Sequence, residues 1–363
     1  MGNKGDWKEV LKITGAYVAL CIGSGFATGQ EIMQFYTLHG TKSLICGLST
    51  LILMGICGAL VLRSGRKQRE NNVGDVYAVF CGPYLGRFFR GFMPIFMFLT
   101  FSIMLAGAGA AIEQYFGINA SIGRFVFASV VLASLFMGFE RLVQILGSFG
   151  NIIAIIAVSI GLVSIFQNID GLANADQVAS ALNNTKAVPY WWMSGIVYGG
   201  LCMLIGTPFL FQIGRKSERE IACRLGGLFG ASVLMMAAMV LNLAMLGDLK
   251  MVSTQQIPTL YLASQISPIA STLFIGMLIV GIYSASMPLL WMTTTAISKE
   301  GTKGFKWAAI VLVGVAYFAG SVPFGKLVGW VYPPAGYVGV ILSVGIIIRG
   351  LSEYFRNERK KRA

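Results

Sequence analysis

Charge is scarce in this sequence. Only 12% of its 363 residues are Asp, Glu, Lys or Arg, about half the usual share in a soluble domain. There is one histidine, His39, so a multi-histidine metal or haem centre is excluded. The six cysteines, Cys21, Cys46, Cys57, Cys81, Cys202 and Cys223, form no CxxC pair. None of them falls in a segment read as external, so neither disulfides nor a zinc site is expected. HExxH, a Walker loop and GxSxG are also missing, and no second histidine is available to activate a nucleophile. These absences set aside a covalent enzyme, a metalloenzyme and an ATP-driven pump. The opening MGNKGDWKEV carries neither the apolar core nor the cleavage site of a secretory signal.

What is present is apolar. Hydrophobic residues make up 56% of the chain, and mean hydropathy is +0.72. Stretches near or above the ~20 residues that cross a bilayer fall at 10–37, 42–62, 88–115, 121–138, 142–166, 190–213, 225–247, 266–297, 305–323 and 327–349. The expected fold is therefore all-α, a polytopic membrane protein of ten transmembrane helices in one domain, 1–363. GDVYAVFCGPYL (74–85) is too short to cross and is expected at the inner interface. STQQIPTLYLASQIS (253–267) is expected as a short helix capping the outer face.

The basic residues set the orientation. With both termini cytoplasmic, all but five of the 28 Lys and Arg residues fall on the inner side, as the positive-inside bias requires. The exceptions are Lys42, Arg124, Lys186, Lys250 and Lys326. The net charge of +13 is thus assigned to topology and the lipid bilayer, with no nucleic-acid partner expected.

Five spans precede the loop NIDGLANADQVASALNNTKAVP and five follow it. Because five is odd, two similar halves, about 10–166 and 190–349, would form an inverted repeat. Gly23 interrupts span one, and Gly199-Gly200 lies at the corresponding place in span six. Glycine-interrupted spans at matching positions are a pointer to a transporter binding site. Both spans are expected to be broken.

The first interruption reads GSGFATGQE, Gly23 to Glu31. Unwinding at Gly23, Ser24 and Gly25 would free backbone groups that hydrocarbon cannot satisfy, unless the site is wet or buried in protein. Amides at the start of the outer half-helix would suit a carboxylate. The competing explanation is close helix packing through small residues. Thr28 and Glu31, three apart, are expected to share a face and line the same cavity. Glu31 is a candidate to carry a proton or cation or to gate the vestibule, or else an interface carboxylate. Glu113 is a second gate candidate. Gln30 and Gln34 are expected to hydrogen-bond neighbouring helices, and His39 to lie on the surface. Tyr198, beside Gly199 and Gly200, is a cavity candidate or ordinary core. Tyr190, Trp191 and Trp192 are expected in an aromatic belt. Pro208 removes the amide that would bond the Leu204 carbonyl, and Pro288 does the same to Ser284. Ser284 and Ser286 therefore offer oxygens of the kind hard cations such as sodium take.

CIGSGFATGQEIMQFY, IPTLYLASQISP and FGKLVGWVYPPAGYVG, with the five-plus-five layout, resemble the YkvI family of bacterial membrane proteins. That family is similar to branched-chain amino-acid carriers of the amino acid–polyamine–organocation superfamily. The resemblance covers nearly the whole chain and implies a LeuT-type fold with substrate at the two helix breaks. It implies that Gly23, Ser24 and Gly25 meet a substrate carboxylate, with Tyr198, Gly199 and Gly200 opposite. It also implies a sodium site from the carbonyls of Ala19 and Ile22 with Ser284 and Ser286. The usual adjacent Ser/Thr pair of span eight is here Ser-Ala-Ser, a departure that weakens the sodium implication.

The expected function is secondary active transport of a small amino-acid-like solute across a bacterial inner membrane. Sodium or protons would couple it by alternating access, with no other cofactor. The alternatives are a nutrient sensor similar to a spore germinant-receptor subunit and a membrane protein without transport activity.

Overall fold

The computed structural model describes residues 4–21, 24–69, 75–137, 149–182 and 186–362, and every regular element among them is helical. In chain order these are α1 (Lys4–Cys21), α2 (Ser24–Thr28), α3 (Gln30–Phe35), α4 (Ser43–Lys67), α5 (Val76–Phe116), α6 (Ala120–Met137), α7 (Phe149–Gln167) and α8 (Ala175–Ala181). There follow α9 (Trp191–Lys216), α10 (Glu220–Gly247), α11 (Leu249–Val252), α12 (Pro258–Ile266), α13 (Pro268–Ile297), α14 (Lys303–Ala319) and α15 (Phe324–Arg362). Among the described residues, seven stretches are long and apolar enough to cross a membrane: Thr37–Lys67, Val76–Phe116, Ala120–Met137, Trp191–Lys216, Glu220–Gly247, Pro268–Ile297 and Phe324–Glu353. The bent pair Ile155–Gln167 and Ile169–Ala181, at 82°, makes an eighth if taken as one span. The expected first and ninth spans correspond to the interrupted α1–α3 and to α14, which has 17 residues. The start of the expected fifth span, with Arg141, lies outside the described residues.

α4 shows why this chain needs lipid. Ile45, Leu48, Ile52 and Ile56 recur at helical spacing and are each 44% exposed or more, while Cys46, Thr50, Met54 and Cys57 on the other side are buried. The apolar stripe faces outward and the hydroxyl faces inward. Lipid tails solvate such a stripe, and the helices associate through close packing and hydrogen bonds instead. The Thr50 hydroxyl accordingly donates to the Gly195 carbonyl at 2.7 Å, and Ser194 donates to the Phe35 carbonyl at 2.6 Å. Through such contacts α1, α4, α9 and α10 form one group, while α5 packs with α6 and α13. α15 lies between the two, against α9 and α5.

Span six is not broken. α9 runs continuously from Trp191 to Lys216, which corrects the expectation at Gly199–Gly200. The reason lies across the interface. A Cβ on Gly200 would stand 2.5 Å from the Gly336 carbonyl oxygen and 2.7 Å from the Val340 nitrogen of α15. Gly200 lets two backbones touch, which is the packing role of glycine in membranes.

Pro208 does not interrupt α9 either. The Leu204 carbonyl it orphans accepts a hydrogen bond from the Tyr77 hydroxyl at 3.2 Å. Tyr77 belongs to the piece of α5 before Gly82, where the chain kinks at φ 78 and ψ 176. That piece is the segment expected at an interface. It packs inward, with Tyr77 and Phe80 buried. Tyr77→Phe should therefore lower stability by about 1 kcal/mol, the worth of one such bond, read from thermal unfolding in detergent.

Candidate binding site at the interrupted helix

Among the described residues the first span is interrupted once, at Gly29, between α2 and α3. α1 is described to Cys21 and α2 from Ser24; Ile22 and Gly23, where a break was expected, lie outside the described residues, and Gly25 is inside the helical α2. The break therefore falls at a glycine that was not among the expected ones. Its φ of 84 is left-handed, a conformation that favours glycine. A Cβ there would also stand 2.7 Å from Thr259 Oγ1. Thr28 closes the short α2: its Oγ1 donates to the Gly25 carbonyl at 2.6 Å and accepts from the Gln30 N–H at 3.4 Å. Because Gly29 separates Thr28 from Glu31, the helical rule that put them on one face does not apply.

The Glu31 side chain instead turns back toward Gly25. The place where a Cβ of Gly25 would stand is taken by Glu31 Oε1. The other oxygen, Oε2, accepts from the Tyr198 hydroxyl at 3.1 Å. Tyr198 is buried and held by the rings of Phe35 and Tyr36, with centroids at 5.2 and 5.3 Å. Tyr36 in turn shares a 2.8 Å hydrogen bond with Thr50. Tyr332 completes the wall, its hydroxyl 3.6 Å from the Gly25 Cβ position. Glu31 itself is half-buried. The titratable groups that face it are Tyr198, Tyr36, Tyr332 and Cys202. No basic side chain among the described residues pairs with it. The ion pairs that do form, such as Arg63–Glu220 at 2.7 Å and Lys67–Glu353 at 2.7 Å, lie elsewhere.

Gly25 also lines a tight crevice with Thr28, Met104, Gly107, Ile282 and Phe324, in which no space the size of a water molecule is open. The crevice thus joins α2 to α5, α13 and α15. It contains no charged group. A separate hollow of about 10 Å³ lies between α4 and α15, lined by Leu60, Arg63, Ser64, Phe80, Ile346, Arg349, Gly350 and Glu353.

Of the expected site residues, Gly25, Thr28, Glu31 and Tyr198 meet here. Ser24 begins α2. Gly199 and Gly200 instead pack on α4 and α15. Glu113 is exposed at the end of α5, where its carboxylate accepts the Ala120 N–H that starts α6. Ala19 lies in α1. Ser284 and Ser286 each donate to their own helix, to the Gly281 and Ile282 carbonyls at 2.9 and 2.7 Å. Two residues apart on the continuous α13, they point about 200° apart around the axis. They do not form one ligand cluster. Among the described residues, no three His, Cys, Asp or Glu side chains are grouped to hold a metal.

The end of the bundle above α3 is tied shut by glutamines. Gln30 donates to the Gln255 carbonyl at 2.9 Å, and Gln34 donates to Gln30 Oε1 at 3.0 Å and the Gly325 carbonyl at 2.7 Å. Gln114, overlooked in the sequence, accepts from the Ile257 N–H at 2.9 Å and donates to its carbonyl at 3.1 Å. These bonds dock the segment that leads into α12. His39 is buried, not on the surface, because the turn that carries it packs against α8. Tyr190 and Trp192 are exposed, as an aromatic belt requires.

No protein-family model matches the chain. The chain is 24% identical over 332 residues to the uncharacterized membrane protein YkvI of Bacillus subtilis, covering 89% of this chain and 91% of that protein. It is 26% identical over 109 residues, 30% of this chain and 31% of the relative, to the uncharacterized protein YyaD of Bacillus subtilis. Among solved structures, it is similar to MhsT in complex with L-phenylalanine, with a TM-score of 0.57, 14% identity and coverage of 94% and 87%. A manganese transporter of Eremococcus coleocola gives a TM-score of 0.51 at 12% identity, with coverage of 93% and 78%. The shared feature is the fold, which is LeuT-type.

Proposed function

We propose that this protein is a secondary active transporter that moves a small amino-acid-like solute across a bacterial cell membrane. One observation carries the reading. An interrupted helix inside a LeuT-type fold holds a half-buried carboxylate, Glu31, beside a crevice and without a basic partner among the described residues. Intramembrane carboxylates are costly and serve as binding or relay groups. In this reading ten spans form a five-plus-five inverted repeat with both termini cytoplasmic, and rocking of one helix group gives alternating access.

Coupling runs through protons in preference to sodium. The Ser284 and Ser286 hydroxyls diverge, whereas Glu31 can exchange a proton within the cavity. The test is uptake of labelled amino acids and amines by proteoliposomes containing the purified protein. A pH gradient, of one sign or the other, is expected to drive accumulation, and replacing sodium with potassium to leave it unchanged. Accumulation that requires sodium would move the coupling to another site. Absence of flux for every solute, with binding retained, would favour a sensor over a transporter.

A further inference from the structure

We infer that the transported solute is read by its ammonium group on Glu31, and is a primary alkyl- or arylalkylamine in place of a zwitterionic amino acid. This rests on the transporter reading above and names its substrate class.

A carboxylate-bearing solute would need the space over Gly25. That space holds Glu31 Oε1, and a second carboxylate brought there would be repelled by the first. α2 has only five residues, so it adds little dipole to offset that repulsion. No basic side chain among the described residues stands by to neutralise it.

The same geometry suits a cation. Oε2 is engaged by the Tyr198 hydroxyl, while no described donor bonds to Oε1. Tyr198 is itself immobilised between Phe35 and Tyr36, so the carboxylate is held in place before the ligand arrives. An ammonium placed at Oε1 gains a charge-assisted hydrogen bond. The Tyr332 hydroxyl beside Gly25 is a second acceptor.

The remainder of the solute is set by the crevice that shares Gly25. Met104, Ile282 and Phe324 make its wall apolar, and Thr28 is the only hydroxyl among its lining residues. The Thr28 hydroxyl already donates to the Gly25 carbonyl. Nothing there would accept a second charge. Once the crevice opens to admit it, a short alkyl or phenyl tail suits this apolar lining, and a second ammonium or a carboxylate does not.

Matched probes separate the two classes. Binding of isoamylamine against leucine, and of phenethylamine against phenylalanine, is measured by thermal shift of the full-length protein in detergent. Flux of the same four compounds is measured in proteoliposomes. The amines are expected to raise the unfolding temperature while their amino acids do not. Glu31→Gln, which keeps shape but removes charge, should weaken amine binding at least about thirtyfold. If that variant does not fold, Tyr198→Phe keeps the charge and should weaken binding about tenfold. Binding and uptake of leucine or phenylalanine without the amines would overturn the inference and leave the transporter reading intact. Failure of all four compounds to bind, or amine binding unaffected by both substitutions, would also overturn it. Amine binding without flux would uphold the recognition of the ammonium by Glu31 and contradict transport.

Discussion

Gly25→Leu is expected to reduce solute uptake to background while the protein still inserts and folds. Even the first added carbon, Cβ, would stand where Glu31 Oε1 lies, so the carboxylate must leave its place beside Tyr198. The rest of the leucine side chain would enter the crevice toward Met104 and Phe324. Affinity should fall by at least about a hundredfold, near 3 kcal/mol. The stability cost of overpacking one site is smaller, about 1–3 kcal/mol, and a marginal excess of that size leaves most molecules folded. Ligand-induced thermal shift checks the first part and gel filtration the second. Normal binding by Gly25→Leu would mean that Gly25 serves only close packing.

Gly200→Ala should do the opposite. It should damage the fold more than the site, because the added methyl meets the backbone of α15 and no flexible side chain can move aside. The contact is reciprocal: a Cβ on Gly336 would stand 2.6 Å from the Val197 carbonyl oxygen. Relief requires α9 and α15 to separate along their shared face, at a cost of about 3 kcal/mol or more. The expected readout is an unfolding temperature several degrees lower in detergent, with ligand affinity unchanged in the molecules that remain folded. If Gly200 faced the solute instead, alanine would alter affinity and leave stability nearly untouched.

These two glycines show where sequence reasoning succeeds and where it stops. Both are small residues inside apolar spans, and by composition either is a break or a point of close approach. At Gly23–Gly25 the following ATGQE adds a polar run and a carboxylate within a turn or two, so an irregular first span is legible, while the described interruption falls at Gly29 and Gly25 is helical. At Gly199–Gly200 the deciding fact is a carbonyl on α15, more than a hundred residues away along the chain. Nothing local to span six reports it. Gly29 was hidden for a different reason: it is one of three glycines in GSGFATG, and only its left-handed φ distinguishes it. The same limit applies to Glu31, whose spacing from Thr28 implied a shared helical face until Gly29 removed the helix between them. The apolar stretches and the short α12 were legible because length and hydropathy alone determine them. Pro208 and Leu204 were half legible: the orphaned carbonyl follows from the proline, but its acceptance of the Tyr77 hydroxyl depends on tertiary packing. His39, read as a surface group from its position after a span, is buried because α8 covers that turn.

The central claim is that solute binds at the interrupted first helix, between Glu31 and the crevice at Gly25. The most direct measurement is a cryo-electron microscopy structure of the full-length protein with a saturating solute identified by uptake. The account predicts solute density in contact with Gly25 and Glu31, the polar end of the solute toward Oε1 and its apolar end toward Met104 and Phe324. Density confined to the hollow between α4 and α15, at Arg63, Ser64 and Arg349, with the break empty, would contradict it.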